Sequence, residues 1–487
     1  MMLKTIPAQA AALMCAALMA GCAVGPDFVR PTAPTVESYT AEPVSVATAS
    51  TPVAGGAPQR FVAGKDVPAQ WWTLFGSDAL NELVAAALQA NPDMQAAEAA
   101  LRAAQENAAA QRGAFFPSVD AHLIPTRQQV SDPLASPTAS GTNLYTLHTA
   151  QLNISYVPDV FGGTRRQVEA AGAQAEVARF QREAARLTLT SNLVAAAIQE
   201  AALRAQLASM TELVSMARKQ LDAVNKQHKA GQIGAADVAA QEAALAQVEA
   251  GLPPLEKQLA QQHDLLAVLA GRFPSEGIAQ RFGFDSLSLA EELPLSLPAR
   301  LVEQRPDIRA AEAQLQAASA QIGVAKAARL PNISLTASLG SSALTAGTLF
   351  NSGTAFWSVG ADLVQPIFRG GTLMHQQRAA EAAYEQAAAQ YRSTVLTAFQ
   401  NVADTLHAID ADARALRAAL AAERAAQRSL RIAERQHELG MVAYPAVLLA
   451  QQTYQQAAIA LIQAQAARYA DTVALFQALG GGWWNER

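Results

Sequence analysis

Cysteine is almost missing: Cys15 and Cys22 are the only two in 487 residues, and both lie within the first 22. Disulfides and thiolate metal sites are thereby excluded from the rest of the chain. Aromatic residues make up only 6% and charged residues 16%, which fits neither an aromatic-rich core nor a disordered polyelectrolyte. There is no basic excess: 36 Lys+Arg stand against 41 Asp+Glu, a net charge of -5. With nothing to neutralise phosphates, nucleic acid is not an expected partner. Beyond the start of the chain, no apolar run approaches the roughly 20 residues of a bilayer-crossing helix. P-loop, HExxH and nucleophile-elbow motifs are absent, and His122, His148, His228, His263, His375, His407 and His437 are scattered without ligand spacing. Neither an enzyme nor a bound metal is expected.

What the chain does have is alanine, with Gln, Glu, Arg and Leu, a composition of long helices packed closely through small side chains. Lys4 followed by the small, mostly apolar stretch from Ile6 to Ala20 reads as a secretory leader, residues 1–21. It ends in Met19-Ala20-Gly21-Cys22, which resembles a bacterial lipobox with Met where Leu is commoner. That resemblance implies cleavage before Cys22, a diacylglycerol thioether on its sulfur and an acyl chain on the new N-terminus. Such chains tether a protein that has no helical span. Ala23 after the Cys is compatible with sorting to the outer membrane.

The chain is also written twice. Asn91-Pro92-Asp93-Met94-Gln95-Ala96-Ala97-Glu98 matches Arg305-Pro306-Asp307-Ile308-Arg309-Ala310-Ala311-Glu312 at an offset of 214. Phe116-Pro117 matches Leu330-Pro331, Phe161-Gly162-Gly163 matches Phe368-Arg369-Gly370-Gly371, and Gln227-His228 with Gly231 matches Gln436-His437 with Gly440. Each half predicts a medium helix (about Ser77–Gly113 and Leu297–Arg329) with Pro92 or Pro306 near a helix start. Two strands follow, then a very long helix (about Thr164–Lys229 and Thr372–Leu439), a Gly turn, and a returning helix (about Ala236–Ala270 and Tyr444–Leu479). The division expected is 22–76 as a lipid-anchored segment, 77–272 as the first repeat, 273–296 as a linker, 297–480 as the second repeat and 481–487 as a tail. Strands are placed at about 117–130, 144–158, 332–342 and 354–366.

The strands alternate strictly. Ala150, Leu152, Ile154 and Tyr156 interleave with Gln151, Asn153 and Ser155, and Trp357, Val359, Ala361 and Leu363 with Ser358, Gly360 and Asp362. Four strands cannot close a barrel by themselves. Either several chains pool their strands with the apolar faces toward lipid, or the sheet is half-buried in a soluble sandwich.

These residues resemble the outer-membrane factors, TolC-like channels, in their lipoprotein subclass that serves multidrug efflux. The resemblance rests on Cys22-Ala23-Val24-Gly25-Pro26-Asp27-Phe28, Trp71-Trp72 with Phe75, the Asn91 and Arg305 motifs, Gln365-Pro366-Ile367-Phe368-Arg369-Gly370-Gly371 and Ala478-Leu479-Gly480-Gly481-Gly482-Trp483-Trp484. It implies an α+β membrane protein: a homotrimer with a twelve-stranded transmembrane β-barrel, four strands per chain, continuous with a long periplasmic α-helical barrel of coiled-coil helices. It also implies an equatorial belt, to which the N-terminal segment, the 273–296 linker and the C-terminus are assigned. Strand loops around 131–143 and 341–352 would face outside, as mobile loops. The implied function is the exit duct of a tripartite efflux system, anchored in outer-membrane lipid and reaching into the periplasm. Its implied partners are a periplasmic adaptor (membrane fusion) protein and an inner-membrane RND-type transporter. An outlet for metal efflux or type I protein secretion, and a periplasmic adaptor lipoprotein, are the alternatives.

In that family the shut end lies at the helix turns. Here these are around Gly231 and Gly440, with Ile233, Met441 and Val442 as candidate adaptor contacts. The best-known member has acidic rings just after its second turn, where Ala446 and Leu449 stand in this sequence. An apolar constriction is expected instead, with Leu448 or Leu449 at it. Asp237 matches an acidic latch residue, with His437 or Arg435 as its expected partner and helix capping as the other reading.

Overall fold

The computed structural model describes residues 23–43, 45–131 and 143–486. Cys22 and most of the loop expected at 131–143 lie outside the described residues. In chain order the regular elements are β1 (Arg60–Ala63), α1 (Asp78–Ala90), α2 (Pro92–Arg112), β2 (Ser118–Gln129), β3 (Leu144–Tyr156), α3 (Gly163–Lys229), α4 (Ala235–Glu249) and α5 (Leu252–Leu269). They continue with β4 (Glu292–Leu295), α6 (Pro298–Gln304), α7 (Pro306–Ala327), β5 (Asn332–Ala343), β6 (Ala355–Val364), α8 (Thr372–Glu438) and α9 (Tyr444–Ala478). Both α3 and α8 have 67 residues, about 100 Å of helix at 1.5 Å per residue.

The proline motifs are helix breaks with a second task. Asn91 is extended, as a residue before proline prefers, and separates α1 from α2. Its side-chain oxygen accepts from the N–H groups of Asp93 (2.9 Å) and Met94 (3.3 Å), and its amide donates to the Leu269 carbonyl at the end of α5 (3.1 Å). In the second repeat Arg305 separates α6 from α7 and donates to the Ala478 carbonyl at the end of α9 (2.9 Å) while gripping Asp307. Each motif therefore starts one helix and satisfies the last turn of another.

The returning helix of the first repeat, expected unbroken from about Ala236 to Ala270, is two helices. Pro253 and Pro254 open α5, and neither can donate into a continuing ladder. The Met210 methyl lies 3.2 Å from where a Cβ of Gly251 would stand, so the break is also a close approach. Its counterpart α9 carries its proline, Pro445, at the N-terminus and runs unbroken for 35 residues.

The chain forms two compact units. The first holds Leu101–Val177, Ala311–Tyr391 and the described residues up to Arg30. Its sheet is antiparallel in the order β2-β3-β5-β6. Residues 23–30 form a strap across its helices: Val24 N–H donates to the Phe161 carbonyl (3.0 Å), Arg166 pairs with Asp27 (2.6 Å) and Glu169 (2.7 Å), and Arg30 pairs with Glu312 (2.9 Å). The 341–352 loop, expected to be mobile, is tied instead: Leu349 is buried, Ser341 donates to its carbonyl, and Thr354 donates to Asn351 (2.8 Å).

The second unit holds Pro31–Ala100, Ala178–Ala310 and Arg392–Arg487. Here β1 pairs in parallel with β4, joining the N-terminal segment to the linker. Trp71 stacks on Phe476 (5.3 Å) and Phe284 on Tyr469 (5.7 Å), so both segments also pack on α9. Arg468, fully buried, donates to Gln59 (2.8 Å) and to the Ala57 carbonyl (3.1 Å). The Trp483 indole donates to the Gln304 carbonyl (2.7 Å), tying in the C-terminus.

Candidate functional site

The sheet is two-faced in register. One row reads Ala121, Leu152, Leu339, Trp357 across all four strands, and the next row on the same face reads Val119, Ile154, Ala337, Val359. The row between them, on the other face, is Asp120, Asn153, Ser338, Ser358, with the two serine hydroxyls 2.7 Å apart. Among the described residues the apolar face stays open: Leu123 is 72% exposed, Trp357 75% and Val359 75%. Strands β2 and β6 have a partner on one side only, which leaves a row of backbone donors and acceptors open at each edge. A sheet with two open edges and a bare apolar face is incomplete in water. Among the described residues no helix is long and apolar enough to cross a membrane.

The two helix turns are built alike. Gly231 and Gly440 adopt the left-handed conformation (φ 75° and 72°) that closes a helix at glycine. Gln232 N–H donates to the Gln227 carbonyl (3.0 Å) and Gly231 N–H to the His228 carbonyl (2.9 Å). Met441 donates to Gln436 (2.8 Å) and Gly440 to His437 (2.9 Å) in the same pattern. Each turn has an imidazole lid: His228 Nδ1 lies 3.0 Å from the Ile233 carbonyl and His437 Nδ1 3.2 Å from the Val442 carbonyl. A carbonyl can only accept, so each ring donates from Nδ1.

Behind the turns lies a small core of Val224, Leu430, Tyr444, Val447 and Ala450, with Ile233, Val238 and Leu448 packed against it. The Tyr444 ring meets His437 (5.3 Å), and burial beside Glu434 pushes its hydroxyl pKa up. Of the apolar tip residues, Met441 is 67% exposed, whereas Ile233 and Val442 are half-buried. Leu448 is half-buried in the core, while Leu449 (66% exposed) and Ala446 share the open side of α9.

Asp237 accepts from the Gly234 N–H (3.2 Å) at the start of α4, a capping contact. Arg435 pairs with Glu438 (2.8 Å). Among the described residues of one chain, no hydrogen bond or ion pair joins Asp237 to His437 or Arg435. The imidazole lids were missed from sequence, although a shared His three residues before each turn glycine was the signal. Also missed was a half-buried acidic pair: desolvation and then the Asp412 carboxylate push Asp471 up to about 7, with Arg468 opposing. Two acids 59 residues apart leave no local signature. Among the described residues no group of three or more His, Cys, Asp or Glu is placed to hold a metal.

A model of the outer membrane efflux protein family matches residues 83–272 and 297–481, the two repeats in turn. The chain belongs to this family. It is 33% identical to the pyoverdine export outer membrane protein OpmQ of Pseudomonas aeruginosa, over 86% of this chain and 88% of that one. It is 32% identical to the outer membrane protein OprJ of the same species, over 97% and 95%. Among solved structures it is similar to the outer membrane protein VceC of Vibrio cholerae (TM-score 0.79, 28% identity), over 86% of this chain and all of that one. As a member, this efflux protein is a non-catalytic outer-membrane exit channel with a periplasmic helical extension. The α+β architecture expected from the resemblance stands.

Proposed function

We propose that three copies of this chain pair β6 of one with β2 of the next, close a twelve-stranded barrel in the outer membrane, and conduct small amphipathic compounds outward. The observation that carries this reading is the sheet, with both edges open and its apolar face bare. Family membership supports service in a tripartite system, with a periplasmic adaptor and an inner-membrane RND-type transporter that supplies the energy. Relatives named for export of pyoverdine, toluene or antibiotics support small organic cargo for this chain too.

Cys22 carries the acyl anchor, and docking of Ala23 and Val24 beside Phe161 and Gly162 supports an exit for it close to the end of β3. At rest the duct is shut at the helix turns by Leu449, with Ala446 beside it and Leu448 buttressing from the core. Asp237 and His437 act by holding the turns that carry this constriction. Met441, with Gly231, Ile233, Gly440 and Val442 around it, meets the adaptor.

The test is the purified full-length protein in detergent and in planar bilayers. A heat-dissociable trimer with discrete conductance steps is expected. A stable detergent-free monomer with Cys22 replaced, its sheet protected from lipid-soluble probes, would overturn the reading.

A further inference from the structure

Within the first unit, α2, α3, α7 and α8 enclose an open groove of about 740 Å³. Seven glutamines line it, among them Gln167, Gln174, Gln314, Gln321 and Gln386, and the remaining lining residues are alanine and one valine. No charged side chain contributes. This is unusual on helices that carry Arg, Glu and Lys at many other positions, such as Arg166, Glu169, Glu381 and Glu385.

The groove has a definite side. On α7, Gln314 and Gln321 are seven residues apart and share one face, while Gly323 and Glu312 fall about half a turn away at 100° per residue. Gly323 and Glu312 are where the strap docks: a Cβ on Gly25 would stand 2.5 Å from the Gly323 Cα, and Arg30 pairs with Glu312. A strap that leads to a lipid anchor must run on the outside of the helix layer. The glutamines are then on the inside.

We infer that this groove is the conducting surface at its level of the duct, and that its amide lining makes passage indifferent to the sign of a solute's charge. The inference rests on the channel reading above and adds a solute class to it. A glutamine amide offers both a donor and an acceptor, so it hydrogen-bonds anions, cations and neutral polar groups in turn. It lacks the fixed charge with which channel rings select by sign. The solutes that fit are hydrogen-bond-rich small molecules of either charge or none, held weakly enough to leave.

The experiment uses full-length purified trimers carrying Gln174→Cys or Gln386→Cys. Each thiol is labelled with a small cationic and a small anionic methanethiosulfonate, and Glu312→Cys reports on the strap face. Groove thiols should react with both reagents at rates within about twofold. Adding Gln321→Glu should favour the cationic reagent by at least about threefold, and Gln321→Lys the anionic one. The inference is overturned if the groove thiols do not react, if their rates already differ by more than about fivefold, or if the added charge changes nothing. Bilayer recording of the unmodified protein separates the two levels. Absence of any conductance removes the channel reading itself, whereas conductance with groove thiols that do not react, or whose rates ignore the charge added at Gln321, removes only the role of the groove.

Discussion

Gly25 rests directly on the backbone of Gly323, so close that a Cβ on Gly25 would stand 2.5 Å from the Gly323 Cα. A Cβ on Gly323 would in turn meet the Arg166 side chain at 2.7 Å and the Val24 carbonyl at 2.9 Å. Gly323→Ala is therefore expected to lift residues 23–30 off the helices at a cost of about 1–3 kcal/mol. Limited proteolysis should cut the strap faster while the sheet stays intact. Gly347→Ala, where a Cβ meets nothing within 4 Å, is the matched control and should be silent.

The turn glycines answer to backbone strain rather than to space. A Cβ at Gly231 or Gly440 meets nothing within 4 Å, but both residues have positive φ. Alanine at either position should cost about 1–2 kcal/mol, lowering the denaturation midpoint and raising resting conductance. His437→Ala removes one bond to the Val442 carbonyl and should cost about 0.5–1.5 kcal/mol in the same assays.

Stability and leak should separate at the tip. Leu430 is buried in the tip core, so Leu430→Ala should destabilise by about 2–5 kcal/mol. Leu449 is exposed on the same hairpin, so Leu449→Ala should change stability by no more than about 0.5 kcal/mol. If Leu449 forms the constriction, that variant still raises vancomycin sensitivity and resting conductance. An unchanged leak would move the constriction elsewhere.

The Asp412–Asp471 pair predicts a pH dependence with a definite sign. Asp471 titrates at about 7 in the folded chain, above the roughly 3.9 of an unfolded aspartate. Between these values the folded state binds the extra proton, so this group's contribution is fully present at the acid end and fades as pH rises toward 7. The thermal midpoint should fall from about pH 5 to about pH 8, and Asp471→Asn should flatten that fall. A slope that persists in Asp471→Asn would assign it to another group.

What could be read in advance divides along physical lines. The sheet was legible because alternation is a local signal: Ile333, Leu335 and Ala337 against Ser334 and Thr336 mark β5 without any knowledge of its neighbours. The long helices were legible from the lack of proline. Pro253-Pro254 was an equally plain breaker, yet the Ala- and Gln-rich periodicity on either side outweighed it. Arg468 shows the opposite case: its partners Ala57 and Gln59 lie about 410 residues earlier, and no local pattern encodes such a pairing. The glutamine groove was half legible. Gln167 and Gln174, or Gln314 and Gln321, visibly recur at seven residues, but only the structure brings four helices around one opening.

The unequal returning helices bear on the symmetry of any movement. In a trimer of this chain, six staves would circle the mouth, and every second one would carry a joint at Gly251 while those between are single rods. Widening such a mouth cannot proceed equally at six places. It must follow a three-fold pattern, with the jointed staves yielding and the rods swinging as wholes, so the opened mouth takes the outline of a triangle before that of a circle.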